Sequence, residues 1–273
     1  MRDKNKTKEW RILQMKLRSL ILMTAALAVA SPVFAQFTGD GFKTSVVGSK
    51  HDLGANTDLG LTGTTTAVCE FCHAPHKIPG MFNGVPTGVS APPMLWNLQI
   101  KTVTYPTYGN SPILAALDVR SPSEAGPTKQ AAYMSLLCLS CHDGSISAAS
   151  FYYTDVLGPM TNLASTSAQF IPNIGNSAGA GLANDHPVDF TYSAALATAA
   201  GGLQTPTEGA AVRIAYVGKS KPLPLFKDQP TDTSGRVECA TCHNPHDNSL
   251  NGGNYFLRMD NTGSGICLNC HGN

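Results

Sequence analysis

Four copies of the five-residue motif C-x-x-C-H constrain this 273-residue chain more than any other feature. All eight cysteines fall into pairs separated by two residues, and a histidine follows each pair at once. The motifs consist of Cys69, Cys72 and His73, of Cys138, Cys141 and His142, of Cys239, Cys242 and His243, and of Cys267, Cys270 and His271. Because no cysteine is left over, one chemistry has to account for all of them.

The histidine distinguishes between the chemistries open to paired cysteines. In an exported protein, cysteines alone would suggest disulfides, and C-x-x-C alone would suggest a zinc site or a thiol redox site. C-x-x-C-H is the attachment signature of c-type haem. Positions i and i+3 share a face of a helical turn, so two thiols can reach the vinyl groups of one porphyrin. The sequence therefore predicts four covalent haem c groups on the eight cysteines, with the motif histidines as proximal iron ligands.

Four further histidines match the four irons in number. They are His51, His76, His186 and His246. Since each iron needs a second axial ligand, the count predicts bis-histidine ligation throughout. Methionine is the competing ligand, but the candidates do not recur between the two halves, and we interpret them as packing residues. These candidates are Met81, Met94, Met134, Met160 and Met259.

Two of these histidines stand three residues after a motif, in the pattern C-x-x-C-H-x-P-H. Axial ligands approach an iron from opposite porphyrin faces, whereas three residues reach at most about 10 Å. Pro75 also keeps Ala74 out of the helical region, which redirects the chain. We therefore expect His76 to cross to a neighbouring haem, and His246 to do likewise. Such crossing would hold two haems close together.

The N-terminal residues have the pattern of a secretory signal. Seven Lys/Arg side chains precede an apolar run from Leu20 to Ala30, and Val33-Phe34-Ala35 provides small residues at a cleavage site. The run is too short to span roughly 30 Å of hydrocarbon. We expect cleavage after Ala35, no membrane anchor afterwards, and export to the periplasm or to the extracellular surface.

The rest of the chain is interpreted as two dihaem modules, residues 36–150 and 151–273. Each has a lone histidine, then C-x-x-C-H-x-P-H, then C-L-x-C-H. Helices are predicted at Ala131–Leu139 and Ser193–Ala200, and short strands at Val103–Tyr108 and Val212–Val217. Gly, Pro, Ser and Thr dominate elsewhere. The predicted fold is mostly irregular, with short α-helices around stacked haems and minor β structure.

At these motifs the sequence resembles multihaem cytochromes of the doubled C-x-x-C-H group, related to class III cytochromes c. The strongest stretches are Val68–His76, Ser135–Gly144 and Val237–Gly272. The chain is also similar to tetrahaem cytochromes that polymerise into extracellular conducting filaments. That resemblance implies that one distal histidine can ligate a haem of the next subunit. His51 fits such a donor best, and the alternative is that His51 serves the haem on Cys69 and Cys72.

The leading functional hypothesis is electron transfer by haem-to-haem hopping, because six-coordinate iron leaves no open position for a substrate. The protein would then be no enzyme, and would act either as a filament subunit, a homopolymer, or as a soluble periplasmic carrier. A reductase of nitrogen or sulfur oxyanions is a weaker alternative, since it needs a vacant iron. Charged residues make up only 14% of the chain, which argues against nucleic acid. The expected partners are redox proteins or extracellular metal acceptors.

Overall fold

Short helices at the cysteine pairs are the main regular elements of the described chain. In this computed structural model, α1 spans Tyr133–His142, α2 Ala194–Ala200, α3 Cys239–Cys242 and α4 Gly265–Leu268. Turns of 3₁₀-helix cover Val68–Phe71 and Thr262–Ser264. The structure describes residues 46–54, 68–74, 95–100, 105–108, 119–122, 125–126, 128–143, 151–152, 182–183, 185–207, 213–214, 222–247 and 256–272.

Two small antiparallel sheets accompany the helices. Strand β1, Phe190–Tyr192, pairs with β4, Gly235–Val237, so that Phe190 lies opposite Val237. Strand β2, Arg213–Ile214, pairs with β3, Leu223–Pro224. At Gly235 an added Cβ would lie 2.6 Å from the Cβ of Leu225. Glycine is therefore required where β4 passes the segment after β3.

The apolar core of the described residues is divided into small clusters. One surrounds α1 and includes Tyr105, Leu136 and Leu139. A second lies under the β1–β4 sheet and includes Tyr192. A third packs Met259 beside α3 and α4. Each of these three clusters contains between three and seven buried residues.

Local sequence explains why α2 forms where it does. The side chain of Ser193 accepts a hydrogen bond from the backbone N–H of Leu196 at the helix start, and Gly201 adopts a left-handed conformation at its end. This is the usual chemistry of an N-cap and a glycine stop. The prediction of a helix at Ser193–Ala200 is confirmed. The helix predicted at Ala131–Leu139 is also present, and it extends through the second motif to His142.

The predicted strands have a mixed outcome. Arg213–Ile214 is a strand, and the other residues of Val212–Val217 lie outside the described residues. In Val103–Tyr108 the described residues, 105–108, are irregular. The coarse fold class, mostly irregular with short helices and little β structure, is confirmed.

The division into modules and the signal segment stay predictions from the sequence. The described residues lie in one unit, Thr44–Asn273. The predicted signal segment, residues 1–35, lies outside the described residues. Within the described part of the chain, no helix is both long and apolar enough to cross a bilayer. The boundary between two modules at residue 150 remains an interpretation of the sequence.

Candidate haem sites

All four motifs form a single helical turn that ends at the motif histidine. The backbone N–H of His73, His243 and His271 donates to the carbonyl of the first cysteine of its motif, at 2.8, 3.0 and 2.9 Å. The second motif forms the end of α1. Such a turn places both cysteines on one face, as covalent attachment to one porphyrin requires.

The eight cysteines form no disulfide with one another. Burial raises the pKa of Cys72 and of Cys242 to about 11, and raises that of Cys270 to about 12. These thiols are therefore neutral and largely shielded from water. A buried neutral thiol fits a thioether to an apolar macrocycle, because the bond removes a polar hydrogen without leaving a charge.

Three pairs of histidine rings face each other across similar gaps. The ring centres of His73 and His246 are 6.1 Å apart, those of His51 and His142 6.2 Å, and those of His186 and His271 6.5 Å. A metal–imidazole bond is about 2.0 Å, and with the further distance to each ring centre two imidazoles on one metal lie about 6 Å apart. The spacing fits an iron between the rings of each pair.

Each pair joins one motif histidine to one histidine outside the motifs. His246 lies against His73 of the first motif, in the direction that our crossing argument predicts. His186 lies against His271 of the fourth motif. His76 lies outside the described residues. The three described pairs therefore each join a motif histidine to a histidine from outside the motifs.

His51 has a different neighbour from the one considered in the sequence alternative. Its ring lies beside His142 of the second motif and stacks on Phe256 at 4.2 Å. A tight turn holds it there, since Gly48 N–H donates to the Asp52 carboxylate at 2.7 Å. The alternative that His51 serves the haem on Cys69 and Cys72 does not match this placement. Phe256 lies about 200 residues from His51 in the chain, so the local sequence around His51 could not predict this contact.

Of the three described histidines outside the motifs, His51 is half-buried and His186 and His246 are exposed, yet each ring is partly desolvated and its pKa is lowered. Burial, with a smaller contribution from His142, lowers the pKa of His51 to about 4. Burial also lowers the pKa of His186 and of His246. A neutral imidazole offers the lone pair that metal ligation needs.

Cysteines of successive motifs lie close to one another. Ser135 on α1 accepts a hydrogen bond from the backbone N–H of Cys239 at 2.9 Å. The thiols of Cys138 and Cys239 are hydrogen-bonded to each other, which raises the pKa of Cys138 and lowers that of Cys239. The attachment residues of the second and third motifs are therefore in contact.

The same closeness links the other successive motifs. After burial, the largest contribution raising the pKa of Cys141 comes from Cys72 of the first motif. For Cys270 of the fourth motif it comes from Cys242 of the third. Each motif therefore has a cysteine near a cysteine of the motif next to it in the chain.

A second segment clamps the first motif, and an equivalent one clamps the third. We call Leu95–Asn97 and Phe256–Arg258 the clamp segments. In the first clamp, Ala74 N–H donates to Leu95 C=O at 2.8 Å and Asn97 N–H donates to Cys72 C=O at 2.8 Å. Together these bonds fix the backbone on both sides of His73.

The second clamp repeats these contacts at the third motif. Asn244 N–H donates to Phe256 C=O at 2.7 Å, and Arg258 N–H donates to Cys242 C=O at 2.9 Å. Leu95 and Phe256 both have φ of 52°. Sequence reasoning missed the clamps, because they share no motif and lie at different distances from their cysteines.

The side chains of the two clamps share one hydrogen bond to the motif backbone and differ in the contacts of the middle residue. Asn97 Nδ2 and Arg258 Nε each donate, at 2.6 Å, to the carbonyl of the residue after the first motif cysteine. In the first clamp, Trp96 sets its ring edge against His73 and donates from Nε1 to Ser140 Oγ at 3.0 Å. Ser140 lies inside the second motif, so Trp96 connects the first two sites.

The methionines that the structure describes pack against apolar neighbours, as we expect of packing residues. Met259 is buried, and its sulfur accepts a hydrogen bond from Asn269 Nδ2 at 2.6 Å. Met134 packs against the cluster around α1. Met81, Met94 and Met160 lie outside the described residues.

Comparison with known families bears on the C-terminal part of the chain. Residues 233–273 match the family described as Doubled CXXCH motif. A comparison with curated proteins gives no match. The matched residues contain the third and fourth motifs, the second clamp and both of their helical turns. The match supports a multihaem c-type cytochrome, in which C-x-x-C-H motifs hold covalently bound haem c.

Proposed function

We propose that this protein is a tetrahaem c-type cytochrome that carries electrons by hopping between haems, each with two histidine ligands. The observation that carries the proposal is the pairing of histidine rings. Three motif histidines each face one histidine from elsewhere in the chain, at 6.1 to 6.5 Å. This is the spacing expected for two imidazoles on one iron.

Elimination supplies the fourth pair. His243 is the remaining motif histidine, and His76 is the remaining histidine outside the motifs. With His246 at the first motif, His76 at the third would make the exchange between the two C-x-x-C-H-x-P-H segments reciprocal. The repeated clamps support this symmetry, since they fix His73 and His243 in the same backbone setting.

Haem c supplies one-electron redox chemistry when it is bound. The chain supplies both axial imidazoles, lowers the pKa of His51 by burial, and packs Trp96 against His73 and Phe256 against His51. Two histidine ligands on each iron leave no position for a substrate. We therefore propose electron transfer without catalysis at the metal. The closeness of successive motifs supports rapid passage along the series from the first to the fourth.

The placement of His51 favours a ligand set that is complete within one chain. His51 lies beside His142 of its own chain and is half-buried there. We therefore propose an exported carrier, working in the periplasm or at the cell surface with redox partner proteins or metal acceptors. A filament of this chain would then depend on surface contacts and not on donation of His51 to a neighbour.

Intact mass and optical spectra of the native protein test the haem count and the ligation together. We expect four haem additions, low-spin spectra in both oxidation states, and no carbon monoxide binding to the reduced protein. Fewer than four additions would disprove the tetrahaem proposal. Full haem loading with one carbon monoxide-binding haem would disprove bis-histidine ligation at all four irons.

Negative-stain microscopy and oligomer mass test the closed ligand set. We expect a monomer with four six-coordinate haems, because every iron finds both ligands in its own chain. The variant His51→Ala should open the haem on Cys138 and Cys141 in that monomer. If native filaments lost their assembly in His51→Ala, the proposal that His51 stays within its chain would be wrong.

A further inference from the structure

A buried carboxyl pair, Asp189 and Glu238, has one unpartnered oxygen on each member. Asp189 is 0% exposed and Glu238 1%. Oδ1 of Asp189 accepts from both Arg120 and Arg236 at 2.7 Å, whereas its Oδ2 has no hydrogen-bond partner among the residues that the structure describes. Oε1 of Glu238 likewise has none. The two carboxyl groups are nevertheless within hydrogen-bonding reach of each other.

One proton would satisfy both oxygens. Two carboxylates cannot donate to each other, and a buried acceptor without a donor is costly. A proton on Glu238 turns the contact into a carboxyl–carboxylate hydrogen bond. It also brings the charge of the group closer to balance, since among the described residues Asp189 and Asp228 pair with Arg120 and Asp189 also with Arg236.

The backbone at Asp189 is held in an unfavourable conformation to place this carboxyl. Its φ is 53°, a region that non-glycine residues seldom occupy. The N–H of Asp189 donates to Val237 C=O at 2.7 Å, and Arg236 donates to the carbonyl of Asp189. Such strain persists only where the surroundings over-determine it. The position of Asp189 is therefore fixed independently of Glu238.

The pair lies beside the attachment residues of two haems. Glu238 directly precedes Cys239, and its Oε2 accepts from Ser135 Oγ at 2.5 Å. Ser135 stands three residues before Cys138 on α1. Burial, followed by the charge of Asp189, raises the pKa of Glu238 well above its ordinary value.

We propose that Asp189 and Glu238 form a single proton-binding site whose occupancy is coupled to the oxidation state of the haems on the second and third motifs. The inference rests on the proposed electron-transfer function. On reduction, a partner protein donates one electron that converts ferric to ferrous iron. One proton from solvent then forms an O–H bond on the Glu238 carboxylate. On oxidation, the same bond breaks and the proton returns to solvent.

The direction of the coupling follows from charge. Reduction removes one positive charge from an iron near the pair, which strengthens proton binding there. The reduced protein therefore keeps its proton to a higher pH than the oxidised protein does. Between these two pH values the reduction potential falls as pH rises, and outside them it is constant.

Among the described residues, the other groups that face the pair do not take its place as the proton-binding site. Arg120 and Arg236 contact the pair as hydrogen-bond donors and have no acceptor site for its proton. Asp228 is paired with Arg120 at 2.7 Å. On α1 the facing group is Ser135, with Cys138 beside Cys239, and on α3 the facing groups are Cys239 and Thr241, whose Oγ1 accepts from the N–H of Glu238. Asp185 acts on Cys239 from the segment before β1. Cys138 and Cys239 lose their titrating thiols when haem is attached.

Spectroscopic redox titration of the native holoprotein at a series of pH values tests the proposal. In the wild type, we expect one or two of the four potentials to fall with pH by up to a tenfold change in equilibrium constant per unit, about 59 mV. Glu238→Gln should abolish this slope and hold the potentials near their low-pH values. In this variant the amide N–H introduced at position 238 would donate to Asp189 in place of the shared proton, as the carboxylic acid does.

Two further variants separate proton binding from general charge and folding effects. Asp260→Asn removes the same charge from an exposed carboxyl, and should leave the pH slope unchanged. Ser135→Ala removes a hydrogen bond that lowers the pKa of Glu238. It should therefore shift the pH window of the slope upward while the slope persists.

The outcomes distinguish this proposal from the proposed function. A protein without four redox-active haems would contradict the function itself. Four active haems with an unchanged pH slope in Glu238→Gln would overturn the proton site and leave electron transfer intact. If Glu238→Gln did not fold, the Ser135→Ala titration would decide, and an unshifted window would overturn the proposal.

Discussion

The first and third motifs are built on the same backbone pattern and differ in the side chains that surround it. Both clamps make the same pair of main-chain hydrogen bonds around the motif histidine. Both begin with a residue at φ 52°. In the first clamp that residue is Leu95, which is 40% exposed, and in the second it is Phe256, which is 6% exposed and stacked on His51.

This difference separates what forms a haem site from what adjusts it. Main-chain bonds hold the motif histidine in the same way whatever the clamp sequence is. Side chains then connect each site to another: Trp96 reaches Ser140 in the second motif, and Phe256 supports the ring of His51 beside His142. Both clamps therefore lead to the second motif, by different routes.

The largest expected effect comes from removing, one at a time, the histidines that follow the first and third motifs. In His246→Ala, the haem on Cys69 and Cys72 should lose its distal ligand, because His246 faces His73. About one quarter of the haem should then bind carbon monoxide, and NMR assignment of the altered haem should identify His73 as its remaining ligand.

The matched variant His76→Ala should open the haem on Cys239 and Cys242 instead. All four haems should stay attached in both variants, since attachment depends on the cysteines. A vacancy in His246→Ala at the haem of its own motif would contradict the crossing, and with it the reciprocal relation between the two regions.

A second expected effect has opposite signs at the two clamps. Leu95→Gly should increase the free energy of unfolding by up to about 1 kcal/mol, because glycine removes the cost of a positive φ at an exposed site. Phe256→Gly relieves the same backbone strain but removes a buried ring, and should lower the free energy of unfolding by about 3 kcal/mol. Denaturant unfolding of the holoproteins measures both. Equal effects at the two positions would show that the side-chain difference between the clamps has no energetic weight.

The smallest expected effect concerns the planes of the imidazole rings. The rings of His73 and His246 are nearly parallel, at 20°, whereas those of His51 and His142 lie at 60° and those of His186 and His271 at 81°. Parallel ligand planes split the iron d orbitals more than perpendicular planes do. If the third site repeats the first, low-spin ferric EPR signals should divide into two haems of the parallel type and two of the perpendicular type. One EPR signal of the parallel type and three of the perpendicular type would show that the third site repeats the backbone of the first site but not its ring orientation.

Sequence reasoning was most successful where the structural signal is local. The helix at Ala194–Ala200 follows from a capping serine and a glycine stop, and the motif turns follow from the i, i+3 spacing. The position of His246 agrees with the crossing argument, because Pro245 and a three-residue reach exclude the near alternative by geometry.

Long-range contacts could not be predicted in the same way. The neighbour of His51 depends on Phe256, and the clamps depend on main-chain bonds that any residue can make. The meeting of Asp189 and Glu238 depends on the register of β1 against β4, two strands of three residues each. Such short strands carry too little alternation to predict a partner.

The contact between His73 and His246 also determines how the chain is closed into a loop. With the proposed ligation, an iron between these rings would tie together positions about 170 residues apart, a cross-link that in chain-entropy terms opposes unfolding by about 5 kcal/mol. A haem on the first motif would then become six-coordinate only after the third motif had been synthesised and brought to it. Maturation of the earliest site would wait for the late part of the polypeptide, and a truncated chain would carry an exposed, reactive iron at its beginning.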